Sequence, residues 1–280
     1  MADLSNADRM RRATSAVMTT LTALCTLLAV GALLIILFYI AWQGIDSLNI
    51  QFLTDTPRPV GEGGGIGNAI LGSLLLLLIS SAIGLPLGIC VGIYLSEIGR
   101  GRFAGAVRFI VDTLTGIPSI VTGVFVYAII VLPMKNFSAI AGGVALALIM
   151  IPIVARTTEE MLKLVPHSMR EGALALGAPQ WRVTLGVVIP AAASGIATGA
   201  MLAIARVSGE TAPLLFTAFG SRFYPNSLDE PIASLTVQIY NYAISPYDEW
   251  HAQAWAATLV LMTLVLGINI IVRILTRKRF

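Results

Sequence analysis

The apolar and polar positions of this chain are organised by long runs without Asp, Glu, Lys or Arg. Six such intervals occur: Ala13–Ile45, Gly63–Ser96, Thr113–Met134, Asn136–Ala155, Val183–Ala205 and Trp250–Val272. A helix that crosses a bilayer needs about 20 mostly apolar residues, and every interval reaches that length. The pattern predicts spanning helices near 17–42, 68–95, 114–133, 138–157, 190–216 and 252–274. The fifth continues past Arg206 and Glu210 and stays apolar through Phe219. The first run, Val17 to Trp42, is far longer than the roughly 7–15 apolar residues of a signal peptide and reads as a retained span. The fold class expected is all-α: a polytopic membrane protein with six transmembrane helices. Residues 1–16 would form a cytoplasmic N-terminus and 17–280 a single six-helix domain. No separate soluble domain or internal repeat stands out.

Composition agrees with this reading. Hydrophobic residues make up 56% of the 280 residues and charged residues 12%, with a mean hydropathy of +0.84. A water-soluble core of this size cannot hide so much apolar surface. The two cysteines, Cys25 and Cys90, lie inside apolar runs and offer neither a disulfide framework nor a CxxC metal site.

The net charge is only +3, but its distribution is informative. Of the 18 basic residues, Arg58, Lys135 and Arg222 fall in the loops of one side, and Arg206 falls within a span. The other side carries Arg9, Arg11 and Arg12, then Arg100, Arg102 and Arg108, then Arg156, Lys163, Arg170 and Arg182. It ends with Arg273, Arg277, Lys278 and Arg279. Positive loops stay in the cytoplasm, so both termini are expected there.

Between spans four and five the basic side reads Pro166-His167-Ser168-Met169-Arg170-Glu171-Gly172-Ala173-Leu174-Ala175-Leu176-Gly177-Ala178-Pro179. Pro166 suits a first helical turn, where a missing N–H costs nothing. Gly177 can take the positive φ of a C-terminal cap, and Pro179 blocks continuation. A helix of about three turns is framed, with Met169, Ala173 and Leu176 on one stripe. By itself this is equally a helix lying on the membrane surface or one docked on a partner.

Arg206 and Glu210 are the second anomaly. A charge at the centre of a spanning helix costs about 2.5–3.5 kcal/mol on insertion scales, so one is kept for a reason. The spacing i, i+4 puts both on one face of a helix, where they partly neutralise each other. With a helix starting near Pro190, Arg206 would lie about 24 Å along it, in the outer half of the bilayer. A structural pair gluing helices is one reading. The other is an anion site on a transport path, since Arg presents a planar fork of donors suited to phosphate or carboxylate. Ser208 and Thr211 would add small polar groups beside it, and Pro213 frees a carbonyl one turn earlier.

Two resemblances sharpen these readings. Glu171-Gly172-Ala173, three residues, Gly177, nine residues and Val187-Val188-Ile189-Pro190 resemble the EAA loop of ABC-transporter permeases, with small or aliphatic departures at Gly172, Val187 and Ile189. In that family the loop forms the coupling helix that sits on the ATP-binding subunit. The resemblance therefore implies ATPase contacts for Arg170, Glu171, Gly172, Ala173 and Gly177, within a cytoplasmic loop at 158–189. The run Arg206-Val207-Ser208-Gly209-Glu210-Thr211-Ala212-Pro213-Leu214-Leu215-Phe216 is similar to the signature of the A-type subunit of phosphate-specific ABC permeases. Gly64-Gly65-Ile66 before span two and Gly116-Ile117-Pro118-Ser119-Ile120-Val121 in span three extend that likeness. It implies a type I importer permease in the bacterial inner membrane, with Arg206, Glu210, Ser208, Thr211 and also Arg156 on the phosphate path. It implies as partners a C-type permease, an ATP-binding subunit dimer, an extracytoplasmic phosphate-binding protein, inorganic phosphate and membrane lipid. From the residues alone, Arg156 is as well explained as a basic anchor at a span boundary.

No ATPase motif accompanies these features. A Walker loop ends in Gly-Lys, whereas Lys135, Lys163 and Lys278 follow Met, Leu and Arg. ATP and Mg would belong to a partner subunit, and this chain would hold no cofactor. His167 and His251 are isolated, so no metal site or catalytic triad is expected, and no motif points to nucleic acid. An importer permease for another anion and an ion-driven secondary transporter remain the alternatives. In the outer segment, Tyr240, Tyr242, Tyr247, Trp250 and Trp255 are expected to form an interfacial aromatic belt.

Overall fold

The computed structural model describes residues 6–277; side chains are described for 8–271 and for Arg273 and Ile274. Lys278, Arg279, the side chain of Arg277 and residues 1–5 of the expected N-terminal segment lie outside that description. Among the described residues the chain forms thirteen α-helices, several joined through short π-helical turns. They are α1 (Asn6–Gly44), α2 (Ile50–Thr54), α3 (Gly67–Ile93), α4 (Gly101–Gly116), α5 (Ser119–Val126), α6 (Leu132–Met134) and α7 (Ala139–Lys163). Then follow α8 (His167–Ala175), α9 (Gln180–Val183), α10 (Ile189–Ser208), α11 (Ala212–Thr217), α12 (Leu235–Ala243) and α13 (Asp248–Arg277). The π-helical turns are Tyr94–Ile98 after α3, Tyr127–Val131 between α5 and α6, and Thr184–Val188 between α9 and α10.

Five continuous helical stretches are long and apolar enough to cross a membrane: Asp8–Gly44, Gly67–Ile98, Ala139–Lys163, Gln180–Ser208 and Asp248–Ile271. A sixth is broken, because Gly101–Gly116 and Ser119–Met134 meet at 106°. Two expectations are corrected here. Residues 114–133 do not form one helix: Ile117 is extended (φ −73°, ψ 132°), as a residue before proline prefers, and Pro118 starts α5 afresh. Residues 190–216 do not form one either. The helix starts earlier, at Gln180, ends at Ser208 and resumes at Ala212. Gly209 favours the stop, and Pro213, in the first turn of α11, needs no intrahelical acceptor.

The core is built around α7, whose spanning window is the most buried of the five. Its neighbours approach through glycine. On α3, a Cβ at Gly84 would meet Met150 Sδ at 2.9 Å, one at Gly88 would meet Val154 Cβ at 2.7 Å, and one at Gly92 would meet the Ala155 carbonyl oxygen at 2.7 Å. On α10, Gly195 and Gly199 lie against Met161 and Thr157 in the same way. Lipid tails are as apolar as leucine, so helices in a bilayer gain by close van der Waals approach, and small residues four apart permit it. Leu76, Leu146, Met150, Val154, Ala203 and Val207 fill the seams. By contrast, α1 is exposed along its apolar window and packs on α13, with Tyr39 edge-on to Trp255 at 5.3 Å.

The expected aromatic belt is also revised. Tyr242 is buried and stacks on Trp250 at 4.9 Å, with Tyr247 edge-on to Trp250 at 5.4 Å. These rings fix α12 against the start of α13, and only Tyr240 and Tyr247 keep substantial exposure.

The seam makes a test. Gly88→Leu should lower stability by about 1–3 kcal/mol, the usual cost of overpacking, while Gly105→Ala, where a Cβ meets nothing within 4 Å, should change little. Thermal unfolding of the detergent-solubilised protein measures both.

Candidate functional site

The two helix breaks lie side by side. A Cβ at Gly123 of α5 would come within 2.6 Å of Pro213 Cα, so α5 and α11 touch where their spans restart. Beside them is a cavity of about 360 Å³ lined by Thr115, Ser119 and Thr122 from the broken third span, Ile149 and Ile153 from α7, and Arg206. Ile149 is ten residues into α7, or about 15 Å at 1.5 Å per residue, which is half of a roughly 30 Å hydrocarbon layer. Arg206 shares this cavity with Ile149 and Ile153 and so lies beside the middle of α7.

Glu210 explains how the guanidinium is kept there. Its carboxylate accepts a hydrogen bond from Arg206 Nη1, and its side chain is 7% exposed against 57% for Arg206. The helix ends between the two, so their pairing rests on the break as much as on helical spacing. The break is itself satisfied: the Glu210 N–H reaches the Val207 carbonyl at 3.1 Å, and the Glu210 carbonyl accepts from Thr236 Oγ1 at 3.0 Å. A buried acid thus tethers one side of an arginine whose other side opens on a cavity with hydroxyl and apolar walls.

The other expected path residues are placed differently. Ser208 is buried and donates to the Ala205 carbonyl at 2.8 Å, so its hydroxyl is spent on its own helix. Thr211 is half-buried at the cap of α11. The small polar side chains on the cavity wall with Arg206 are Ser119, Thr122 and Thr115, the last also donating to its own helix at the Val111 carbonyl (2.9 Å); composition did not mark them, and the signal was Pro118 within a charge-free run. Arg156 lies seven residues beyond Ile149, about 10 Å along α7. It pairs with Glu160 at 2.9 Å and stands 3.7 Å from Glu159 and 3.8 Å from Asp112.

That acidic group marks a second centre. Glu159 is fully buried, accepts from Arg108 at 2.8 and 3.0 Å, and pairs with Lys163. Through it α4 is bound to α7. Sequence reading passed over it because its partner Arg108 is 51 residues away on a helix expected to be loop.

The loop after α7 forms the expected short helix, with two corrections. Pro166 is the capping residue just before α8, and Gly177 (φ +81°) closes it: its N–H bonds to the Leu174 carbonyl, and the Ala178 N–H to the Ala173 carbonyl. Met169, Ala173 and Leu176 do not share one environment. Ala173 packs inward against the cluster of Leu162, Val165 and Val183, while Leu176 is 90% exposed and Met169 is also exposed. Glu171, Gly172 and Gly177 are exposed as well. Arg170 is not: it turns inward to Glu97, so it presents no charge to an outside partner.

Apolar helices long enough to span a membrane, packed around α7, with one broken span beside another, define a polytopic helical membrane protein. Residues 84–280 match the family described as binding-protein-dependent transport system inner membrane component. The chain is 49% identical over 261 residues to the phosphate transport system permease protein PstA of Yersinia pestis, covering 90% of this chain and 88% of that one. It is 39% identical over 249 residues to the probable phosphate transport system permease protein PstA of Methanocaldococcus jannaschii, covering 89% and 88%. This chain belongs to the family of PstA phosphate transport system permease proteins. Solved structures agree on the fold. An inward-facing methionine ABC transporter, MetNI, superposes with a TM-score of 0.61 at 20% identity over 77% of this chain and 94% of that one. A bacterial alginate ABC transporter, in complex with its alginate-bound periplasmic protein, superposes with a TM-score of 0.66 at 15% identity over 97% and 96%.

Glu159→Gln should destabilise the subunit by about 1–3 kcal/mol, less than splitting a fully buried pair, because Arg108 and Lys163 can still reach solvent. Glu160→Gln, at a half-exposed carboxylate, should cost under about 0.5 kcal/mol. Comparing the unfolding midpoints of the two variants tests whether Glu159 binds α4 to α7.

Proposed function

We propose that this chain is a permease subunit of an ATP-driven inorganic phosphate importer, with the ion passing Arg206. The observation that carries this reading is the asymmetric pair at the helix break, where a buried Glu210 holds an Arg206 that faces a cavity. A pair serving only as glue within this subunit would bury both partners. The names of the relatives supply the substrate, and the chemistry is compatible with it, since guanidinium binds phosphate oxygens by paired charge-assisted hydrogen bonds.

A second permease of C type would complete the path. Two ATP-binding subunits, holding ATP and Mg, would take up the exposed side of α8, and a phosphate-binding protein would deliver the ion at the opposite end. The termini and α8 face the cytoplasm, a reading supported by the concentration of Arg and Lys at that end. Arg156 belongs to the inner end of the route, its charge held among Asp112, Glu159 and Glu160. Glu210 does not line the cavity in this state, and it would also select once the pair parts during turnover. Phosphate near neutral pH still carries a proton that an ionised carboxylate can accept, whereas sulfate offers none and is repelled.

Reconstitution with the partner permease, ATPase and binding protein tests this. Arg206→Gln should cut phosphate uptake at least about 100-fold with the complex still assembled. Glu210→Gln should narrow the preference for phosphate over sulfate by about tenfold or more. Loss of assembly in Arg206→Gln would return the pair to a structural role, and an unchanged anion preference in Glu210→Gln would place selection elsewhere.

A further inference from the structure

The inward turn of Arg170 gives it a different task. Its Nη2 donates to Glu97 Oε1 at 2.9 Å and to the Leu162 carbonyl at 2.7 Å; its Nη1 donates to the Val165 carbonyl at 2.6 Å, and its Nε lies 3.4 Å from Glu97 Oε2. The two side chains are 16% and 8% exposed. Glu97 belongs to the π-helical turn that ends the α3 span, and Leu162 and Val165 are at the carboxyl end of α7. A cation is favoured at the carbonyl end of a helix, and Arg supplies enough donors for three acceptors at once. The same turn is held from the other side, because Gln180 Nε2 donates to the Glu97 carbonyl at 3.3 Å. One guanidinium therefore bolts α8 to the inner ends of α3 and α7 together.

Those two helices are already locked along the seam of Gly84, Gly88 and Gly92, and α7 carries Ile149 and Ile153 to the cavity of Arg206. The rest of α8 is loosely held. Ala173 of α8 and Ala178 just after it pack on the body with small side chains, and nothing lies within 4 Å of a Cβ at Gly172 or at the capping Gly177. We propose that the Arg170–Glu97 pair is the joint through which movement of α8 is passed to the α3–α7 rod, with Arg170 and Glu97 acting as positioning residues for transport rather than as contacts for the ATPase. This rests on the reading of α8 as the docking helix. Without the joint, α8 would move with its partner while α3 and α7 stay behind, and ATP would be hydrolysed with no import.

The test uses proteoliposomes containing the whole complex, with phosphate-loaded binding protein added, and reads phosphate imported per ATP hydrolysed. Arg170→Gln and Glu97→Gln should each keep the ATPase subunit bound, hold hydrolysis within about twofold, and lower the ratio at least about tenfold. The double variant should be no worse than the worse single one, as for two ends of one interaction. Arg170→Lys, with one ammonium for three acceptors, should fall between. An unchanged ratio in either single variant overturns the joint. So do additive losses, and so does loss of the ATPase subunit from the Arg170→Gln complex, which would mean the pair only folds the loop. Leu176→Glu, on the exposed side of α8, separates the two readings: it should release the ATPase subunit, and retention there overturns the docking role and the joint with it.

Discussion

A guanidinium held at a break in a spanning helix is the constraint on which the rest of this subunit turns. Arg206 is tolerable there because Glu210 is buried beside it, and Glu210 can be buried because the span stops between them. The stop in turn needs an answer for every freed backbone group, and Val207 and Thr236 supply two. A second break, at Ile117–Pro118, opens the space that the arginine faces. Irregular backbone within a bilayer is tolerated only where it is covered by protein or lines a cavity, and both breaks meet that condition.

The central helix connects this site to the basic end. Along one side, α7 takes part in the cavity through Ile149 and Ile153; one to three turns further it carries Arg156, Glu159, Glu160 and Lys163. Glycine faces on α3 and α10 grip it closely, which makes α3 and α7 a stiff unit. Stiffness matters because a transport cycle must carry a displacement of a few ångströms over more than 20 Å of helix without dissipating it in side-chain rearrangement. The capped helix α8, lightly packed through small residues and closed by its Gly177 cap, is suited to the input side.

Much of the architecture was legible in the order of residues. Charge-free runs gave five spans and the second half of the broken sixth, because the cost of a buried charge leaves an unmistakable gap. The framing of α8 by Pro166 and Gly177 was legible because caps are local. The breaks at Ile117–Pro118 and Gly209–Thr211 were not, since hydropathy has no sense of direction and both segments stay apolar while turning. Arg206 and Glu210 stood out as charges in an apolar run. Glu159, Glu97 and the inward turn of Arg170 did not, because their partners come from elements 51 and 73 residues away. Tyr242 looked like an interfacial aromatic and proved to be core, since a tyrosine at a water boundary and one stacked under a short helix share the same sequence neighbours.

On this reading the space beside Arg206 is a wet anion passage during turnover. Its most direct measure is the reactivity of a thiol placed there. In the assembled importer with Cys25 and Cys90 replaced by serine, Thr122→Cys puts a thiol on the cavity wall without touching Arg206. An anionic, membrane-impermeant methanethiosulfonate should modify it faster when ATP and loaded binding protein are present, and excess phosphate should slow the reaction. A thiol that stays unreactive in every state, or that yields only to a lipid-soluble reagent, would contradict the account.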